Sequence, residues 1–135
     1  MRVTWLLLVA LFACVACAPD PEFNRALSDD VKAYVEGHDE ERLFTEFTDW
    51  EWDELLVFHM SDMSSDEVDE IVGEDVAPLW ATGGGVFVYR LEGEVVRYEM
   101  MEWGGFCSGS YTTSAHVSSK YACWLHDDAY KPFDR

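Results

Sequence analysis

Basic residues are scarce in this chain. It has 9 Lys+Arg against 27 Asp+Glu over 135 residues, a formal net charge of −18. That balance argues against a nucleic-acid binder, whose phosphate contacts need clustered cations. Long apolar runs are missing as well: past the first 16 residues none approaches the roughly 18 residues of a membrane span, so the chain is not a multi-spanning protein. No catalytic signature is present. What is there is a core. Hydrophobic residues make up 49% and aromatics 15%, which excludes disorder despite the charge, and the length suits one domain.

Met1 and Arg2 give a short basic start, and Val3 to Ala16 is almost wholly apolar, with Thr4 its one polar member. A charged start, a short apolar stretch and small residues at its end read as a secretory signal peptide over residues 1–16, too short to span stably. Val15-Ala16-Cys17 resembles the end of a bacterial lipobox, in which the Cys is acylated and becomes the mature N-terminus, although Cys14 stands where that motif has Leu. The competing Leu11-Phe12-Ala13-Cys14 has the Leu but puts a bulky Phe where a smaller residue is usual. Cysteine arithmetic favours Cys17. Cleavage before it discards Cys14 and leaves Cys107 and Cys123 as an even, disulfide-forming pair, whereas cleavage before Cys14 leaves Cys17 as an odd thiol. An ordinary cleavage would give a soluble secreted protein instead, though Pro19 disfavours such a cut.

Each buried CH₂ of an acyl chain is worth about 0.8 kcal/mol and stable anchoring takes more than one chain. Acylation with palmitate-like chains would therefore tether residues 17–135 to a bacterial cell membrane or outer membrane, outside the cytoplasm. In a Gram-negative cell, Ala18 rather than Asp after the anchor would resemble outer-membrane sorting.

Charge is uneven along the chain. Twenty of the acids lie between Asp20 and Asp75, against Arg25, Lys32 and Arg42; residues 76–135 carry seven acids and five bases. The first half predicts a strongly negative surface, which is either a solvated face or one that steers a basic partner.

Asp20-Pro21 reads as a helix start, with Asp as N-cap and Pro at the first helical position. Phe23, Leu27, Val31, Tyr34 and Val35 then share a face, and Gly37 ends the run. Trp50 to Met60 reads as a strand around the apolar run Leu55-Leu56-Val57-Phe58. Ser64-Ser65-Asp66-Glu67 is a capping box, with Met63 and Val68 as its staple and Val68, Ile71 and Val72 as the buried face, stopped by Gly73. A hairpin over Val86–Trp103 turns at Glu92-Gly93. Unbroken pairing would set Leu91 against Glu94, Tyr89 against Val96, Phe87 against Tyr98 and Gly85 against Met100. Phe87, Tyr89, Leu91, Val96, Tyr98 and Met100 would then share one apolar face that carries the helices. Gly83-Gly84-Gly85 lacks the Lys-Ser/Thr of a phosphate loop and reads as a turn. Tyr111–Val117 and Lys120–Leu125 predict two short strands stapled by Cys107 and Cys123, a closure worth about 3 kcal/mol. The order predicts an α+β fold: a small antiparallel sheet of 3–5 strands with two helices on one face.

Phe47-Thr48-Asp49-Trp50-Glu51-Trp52-Asp53, the strand and capped helix after it, and the hairpin Gly85 to Tyr98 resemble a pattern in small, mostly uncharacterised bacterial lipoproteins and exported proteins. The resemblance covers roughly Leu43 to Met100. It implies fold and compartment, and carries no catalytic residue.

Several constellations could carry chemistry. His116, Cys123, His126, Asp127 and Asp128 suggest a metal, but the spacing is not that of a zinc site and Cys123 has a disulfide partner. Asp62, Asp66, Asp69 and Glu70 lack the Gly and terminal Glu of a calcium loop, and acids suit a first helical turn on dipole grounds. Ser108, His126 and Asp127 can be composed into a triad only without a nucleophile elbow. Carboxylate pairs suited to glycoside hydrolysis are equally easy to draw in so acidic a chain. Trp50 and Trp52, on one strand face by the period-2 rule, would stack on a ligand if exposed and serve as core if buried. The expectation is a lipid-anchored, non-enzymatic envelope protein without cofactor or metal, binding a protein partner through its acidic face. The alternative is an envelope hydrolase or metal-binding protein using His116, His126 and nearby carboxylates; a soluble secreted inhibitor is a third reading.

Overall fold

A computed structural model of the chain describes residues 25–59, 61–76, 85–101 and 105–134. The leader, Cys14, Cys17, the Asp20-Pro21 helix start and the first two of the three consecutive glycines lie outside these residues. Helix α1 (Arg25–Gly37) buries Leu27 and Val31 and lays Tyr34 and Val35 against the same core. Strand β1 (Arg42–Leu43) runs into a 3-10 turn (Phe44–Phe47), and β2 follows at Glu54–His59.

Helix α2 (Ser65–Val72) starts with both halves of the capping box: the Glu67 N–H donates to Ser64 Oγ at 3.3 Å and the Ser64 N–H to Glu67 Oε2 at 2.7 Å. Met63 and Val68 are buried together, as a staple requires. Strands β3 (Gly85–Leu91) and β4 (Glu94–Met101) turn through Glu92 and Gly93 at φ 53° and 82°. Two positive φ values make this a type I′ turn, whose twist suits a hairpin. The tail adds β5 (Gly109–Thr112), β6 (His116–Val117) and β7 (Leu125–His126).

The strands form two antiparallel sheets, one in the order β4-β3-β2-β5 and one in the order β1-β6-β7. With two helices this is an α+β fold. Among the described residues no helix is long and apolar enough to cross a membrane.

Several features differ from what the sequence predicts. First, β2 begins at Glu54, so Trp50 and Trp52 precede the strand. The chain joins the hairpin only at Asp53, whose N–H donates to the Arg90 carbonyl and whose carboxylate accepts the Glu92 N–H, both at 2.9 Å. Second, the hairpin slips by one residue beyond Arg90. Arg90 pairs with Val95 but Tyr89 pairs with Arg97, Val88 with Tyr98 and Phe87 with Glu99. Val96 is the extra residue of a β-bulge. Phe87 and Tyr89 therefore share their face with Arg97 and Glu99, while Tyr98 and Met100 join Val86 and Val88; Val96 is 37% exposed.

Third, the helices cover opposite faces. Leu27 and Val31 of α1 pack with Leu55, Val57, Phe87 and Tyr89, whereas Val68 and Val72 of α2 pack with Leu56, Phe58, Val86 and Val88. Both faces of the central strands are apolar, so one layer of cover is not enough. The tail also breaks its expected first strand at a turn, where the Ala115 N–H donates to the Thr112 carbonyl at 3.0 Å.

The bulge makes a direct prediction. Val96→Thr should change stability by no more than about 0.5 kcal/mol, as at a surface site, in urea denaturation. With unbroken pairing Val96 would be core, and a buried hydroxyl would cost about 1–3 kcal/mol.

Candidate functional site

Among the described residues, concave regions open at three different junctions of the fold. The first lies where β2 ends beside the tail. It measures about 470 Å³ and is lined by His59, Asp62, Phe106 and Ser108, among others. Ser108 donates its hydroxyl to Asp62 Oδ2 at 3.0 Å and accepts the His59 backbone N–H at 3.0 Å. The His59 ring bonds the Phe106 carbonyl through Nε2. A serine, a histidine and an aspartate do meet here, but the imidazole is not on the hydroxyl, as a nucleophile and its base would be. No spacing rule would have grouped these three residues, which are drawn together by the β2–β5 pairing and the loop after β2.

The second region, about 320 Å³, lies against the Cys107–Cys123 disulfide and is lined by Tyr111, Tyr121, His126, Asp127 and Tyr130. The two half-cystines have Cα atoms 5.6 Å apart. Tyr121 stacks on the His126 ring at 4.2 Å, and Tyr130 leans on Tyr111 at 5.1 Å. Asp127 is a structural anchor here: it accepts the Thr112 N–H at 2.6 Å, the Thr112 hydroxyl at 2.9 Å and the Ala129 N–H at 2.9 Å.

His116 and His126 face each other as β6–β7 partners. His126 lies 3.5 Å from Asp128. Yet among the described residues no group of three or more His, Cys, Asp or Glu is placed to hold a metal ion. Ser108 is engaged by Asp62, and Asp127 by Thr112 and Ala129, so the sequence-composed Ser108, His126, Asp127 set forms no hydrogen-bonded chain.

Trp50 and Trp52 both reach Tyr89, edge to face at 5.1 and 5.7 Å. Trp52 is buried and donates its indole N–H to Thr48 Oγ1 at 3.0 Å. Trp50 is half-buried with the Arg97 guanidinium 3.9 Å over its ring, and its own Nε1 is buried without a hydrogen-bond partner. The protein itself occupies these rings.

The third region is a groove of about 350 Å³ between α1 and the 3-10 turn, lined by Asp30, Tyr34, His38, Arg42, Glu46 and Phe47. Helical spacing sets Asp30, Tyr34 and His38 along one edge of α1 and its exit. Tyr34 stacks flat on His38 at 4.4 Å, and Phe47 meets Tyr34 edge-on at 5.7 Å. Arg42 sits in the corner, 4.4 Å over the Phe47 ring and 3.3 Å from the Glu46 carboxylate. Sequence reasoning missed this groove, although Arg42, Glu46 and Phe47 are close enough along the chain to have suggested it.

The acids are almost all at the surface. Asp29, Asp30, Glu36, Asp39, Glu40, Glu41 and Glu46 are exposed around α1 and its exit, and Asp66, Glu67, Glu70, Glu74 and Asp75 around α2. Because the helices lie on opposite faces of the sheet, the charge forms two acidic surfaces rather than one.

No protein-family model matches the chain, and neither a curated protein nor a solved structure is significantly similar to it.

Burial alone would raise the Asp127 pKa, but the Thr112 and Ala129 donors and the nearby His116 outweigh it and hold the carboxyl below its ordinary value. A depressed pKa stabilises the fold above the unfolded-state value of about 3.9 and stops doing so as pH falls through the folded-state value. Asp127→Asn should therefore cost about 2 kcal/mol at pH 7 in urea denaturation. The gap from the unsubstituted protein should shrink steadily once the pH drops below about 4.

Proposed function

We propose that the chain is a lipid-anchored protein of the bacterial envelope, held outside the cytoplasm by acyl chains on Cys17, and that its acidic exterior docks a basic protein partner without catalysing a reaction. The observation that carries the docking half is the exposure of the acids around α1, in a stretch of chain where Arg25, Lys32 and Arg42 are the only Lys or Arg residues between Asp20 and Asp75. Such a field raises the local concentration of cationic partners and repels nucleic acid and anionic lipid head groups. The anchoring half rests on the apolar leader ending in Val15-Ala16-Cys17 and on the even pairing of Cys107 with Cys123, joined in the structure. A disulfide persists in an oxidising compartment. The hydroxyl of Ser108 and the carboxylate of Asp127 serve the fold, which is consistent with a binding role.

Two measurements test this. Cells expressing the chain should incorporate a palmitate analogue into it. Cys17→Ser should abolish the label and Cys14→Ser should not; an unlabelled mature chain overturns the anchor. For docking, α1 cannot be deleted, since Leu27 and Val31 belong to the core. Neutralising Asp29, Asp30 and Glu36 to Asn and Gln instead should abolish cross-linking to a basic envelope protein, and an undiminished cross-link would count decisively against the acidic surface.

A further inference from the structure

The groove beside α1 already contains a cation, and the way it is held identifies what the groove accepts. Arg42 lies over the face of Phe47 at 4.4 Å and within 5.7 Å of the Tyr34 ring centre, both inside the range at which a cation feels the ring quadrupole. Glu46 closes one side through its carboxylate, 3.3 Å from Arg42 Nε, and Asp30 is also among the lining residues. The rings are fixed before any partner arrives. Tyr34 donates its hydroxyl to the Glu40 carbonyl at 3.0 Å, its ring stacks on His38 at an interplanar angle of 10°, and Ser119 donates to the His38 carbonyl at 3.2 Å.

Arg42 itself is loosely held. Its side chain is 41% exposed and that of Glu46 53%, and exposed ion pairs of this kind contribute little. Phe47 and Tyr34, set nearly at right angles (74°), form with the two carboxylates an open corner, and about 350 Å³ remains free beside Arg42.

We propose that this groove is a receptor for an arginine side chain of a basic partner polypeptide, and that Arg42 is its intramolecular occupant, displaced when the partner docks. The proposal deepens, and rests on, the reading of the acidic exterior as a docking surface. Arginine rather than lysine is the expected ligand. A guanidinium stacks flat on rings and pairs side-on with carboxylates, whereas an ammonium is a compact, strongly hydrated charge.

The test uses the full-length, disulfide-bonded protein and two fluorescent peptides of equal length and charge, oligo-arginine and oligo-lysine, in anisotropy titrations at physiological salt. Oligo-arginine should bind about fivefold tighter than oligo-lysine. Arg42→Ala, which empties the slot, should tighten oligo-arginine by a further factor of about three. Phe47→Leu should erase the preference for arginine. Because Phe47 also touches the core, the surface change Arg42→Ala serves as an independent check: weakened or unchanged binding overturns the slot. Equal binding of both peptides by the parent protein overturns the slot while leaving the acidic surface intact. If neither peptide binds, the acidic docking surface fails and the slot with it.

Discussion

Strands β2 and β3 are apolar on both of their faces, and this leaves the rest of the chain with two surfaces to cover instead of one. Leu55, Val57, Phe87 and Tyr89 point one way, and Leu56, Phe58, Val86 and Val88 the other, none more than 3% exposed. Fully burying one such side chain is worth roughly 1.5–3 kcal/mol, so these eight outweigh any single polar contact in the molecule. On the first side the cover comes from α1, Phe44 of the 3-10 turn, Trp52, and the Ala115, Val117 and Leu125 of the tail. On the second it comes from α2, Val76 and Phe133, whose ring stacks on Phe58 at 4.7 Å. Residues far apart in the chain are thus enlisted for the same purpose, and the disulfide between Cys107 and Cys123 fastens the part of that cover with the least regular structure.

Covering both faces changes what fixes the hairpin register. Where one face meets water, a one-residue slip exposes the apolar set and is strongly disfavoured. Here a slip only exchanges one buried face for another, so polar groups decide. The bulge at Val96 brings Arg97 and Glu99 to the side of Trp50 and Tyr89. Glu99 is completely buried, and it accepts from Arg97 Nε at 2.9 Å and from the Tyr89 hydroxyl at 3.2 Å. Burial, then the Glu99 charge, pushes the Tyr89 pKa well above its ordinary value, so the phenol stays protonated and able to donate. The same slip turns Tyr98 to the other side, where its hydroxyl donates to Glu74 at 2.6 Å just beyond α2. A buried carboxylate is costly unless paired and hydrogen-bonded. Arg97, two residues away on the same strand, shares the face of Glu99 in either register, but only the bulged register adds the Tyr89 hydroxyl.

Short-range signals were therefore readable and long-range ones were not. The α2 capping box, the Glu92-Gly93 turn and the even cysteine pair depend on neighbours in sequence or on simple chemistry, and each is found in the structure. The α+β class follows from the order of elements. The unbroken hairpin register assumes that one face is solvated, and the placement of both helices on one face repeats that assumption. Trp50 and Trp52 fit a strand period of two, yet the strand waits for Asp53 to engage Arg90 and Glu92. The meeting of His59, Asp62 and Ser108 depends on pairing between β2 and β5, which no local pattern encodes.

The division of charge between the two faces bears on how a partner would approach. A high net charge of one sign repels itself and opposes compaction, and that repulsion is eased when the charges are far apart. The acids of α1 and α2 are separated by a sheet and a layer of side chains on each side of it. That separation exceeds the Debye length of about 8 Å at physiological ionic strength. Each surface then acts almost alone, and the proposed basic partner would meet one of them at a time. They are not equivalent. On the α2 side Glu67 is already committed to the helix's own cap through Ser64, and Glu74 accepts the Tyr98 hydroxyl. The α1 side sets carboxylates beside the rings of Tyr34, His38 and Phe47. Carboxylates alone attract any cation, but carboxylates with aromatic rings discriminate between cations by shape, and under the proposed docking that difference would make the α1 side the place where attraction becomes recognition.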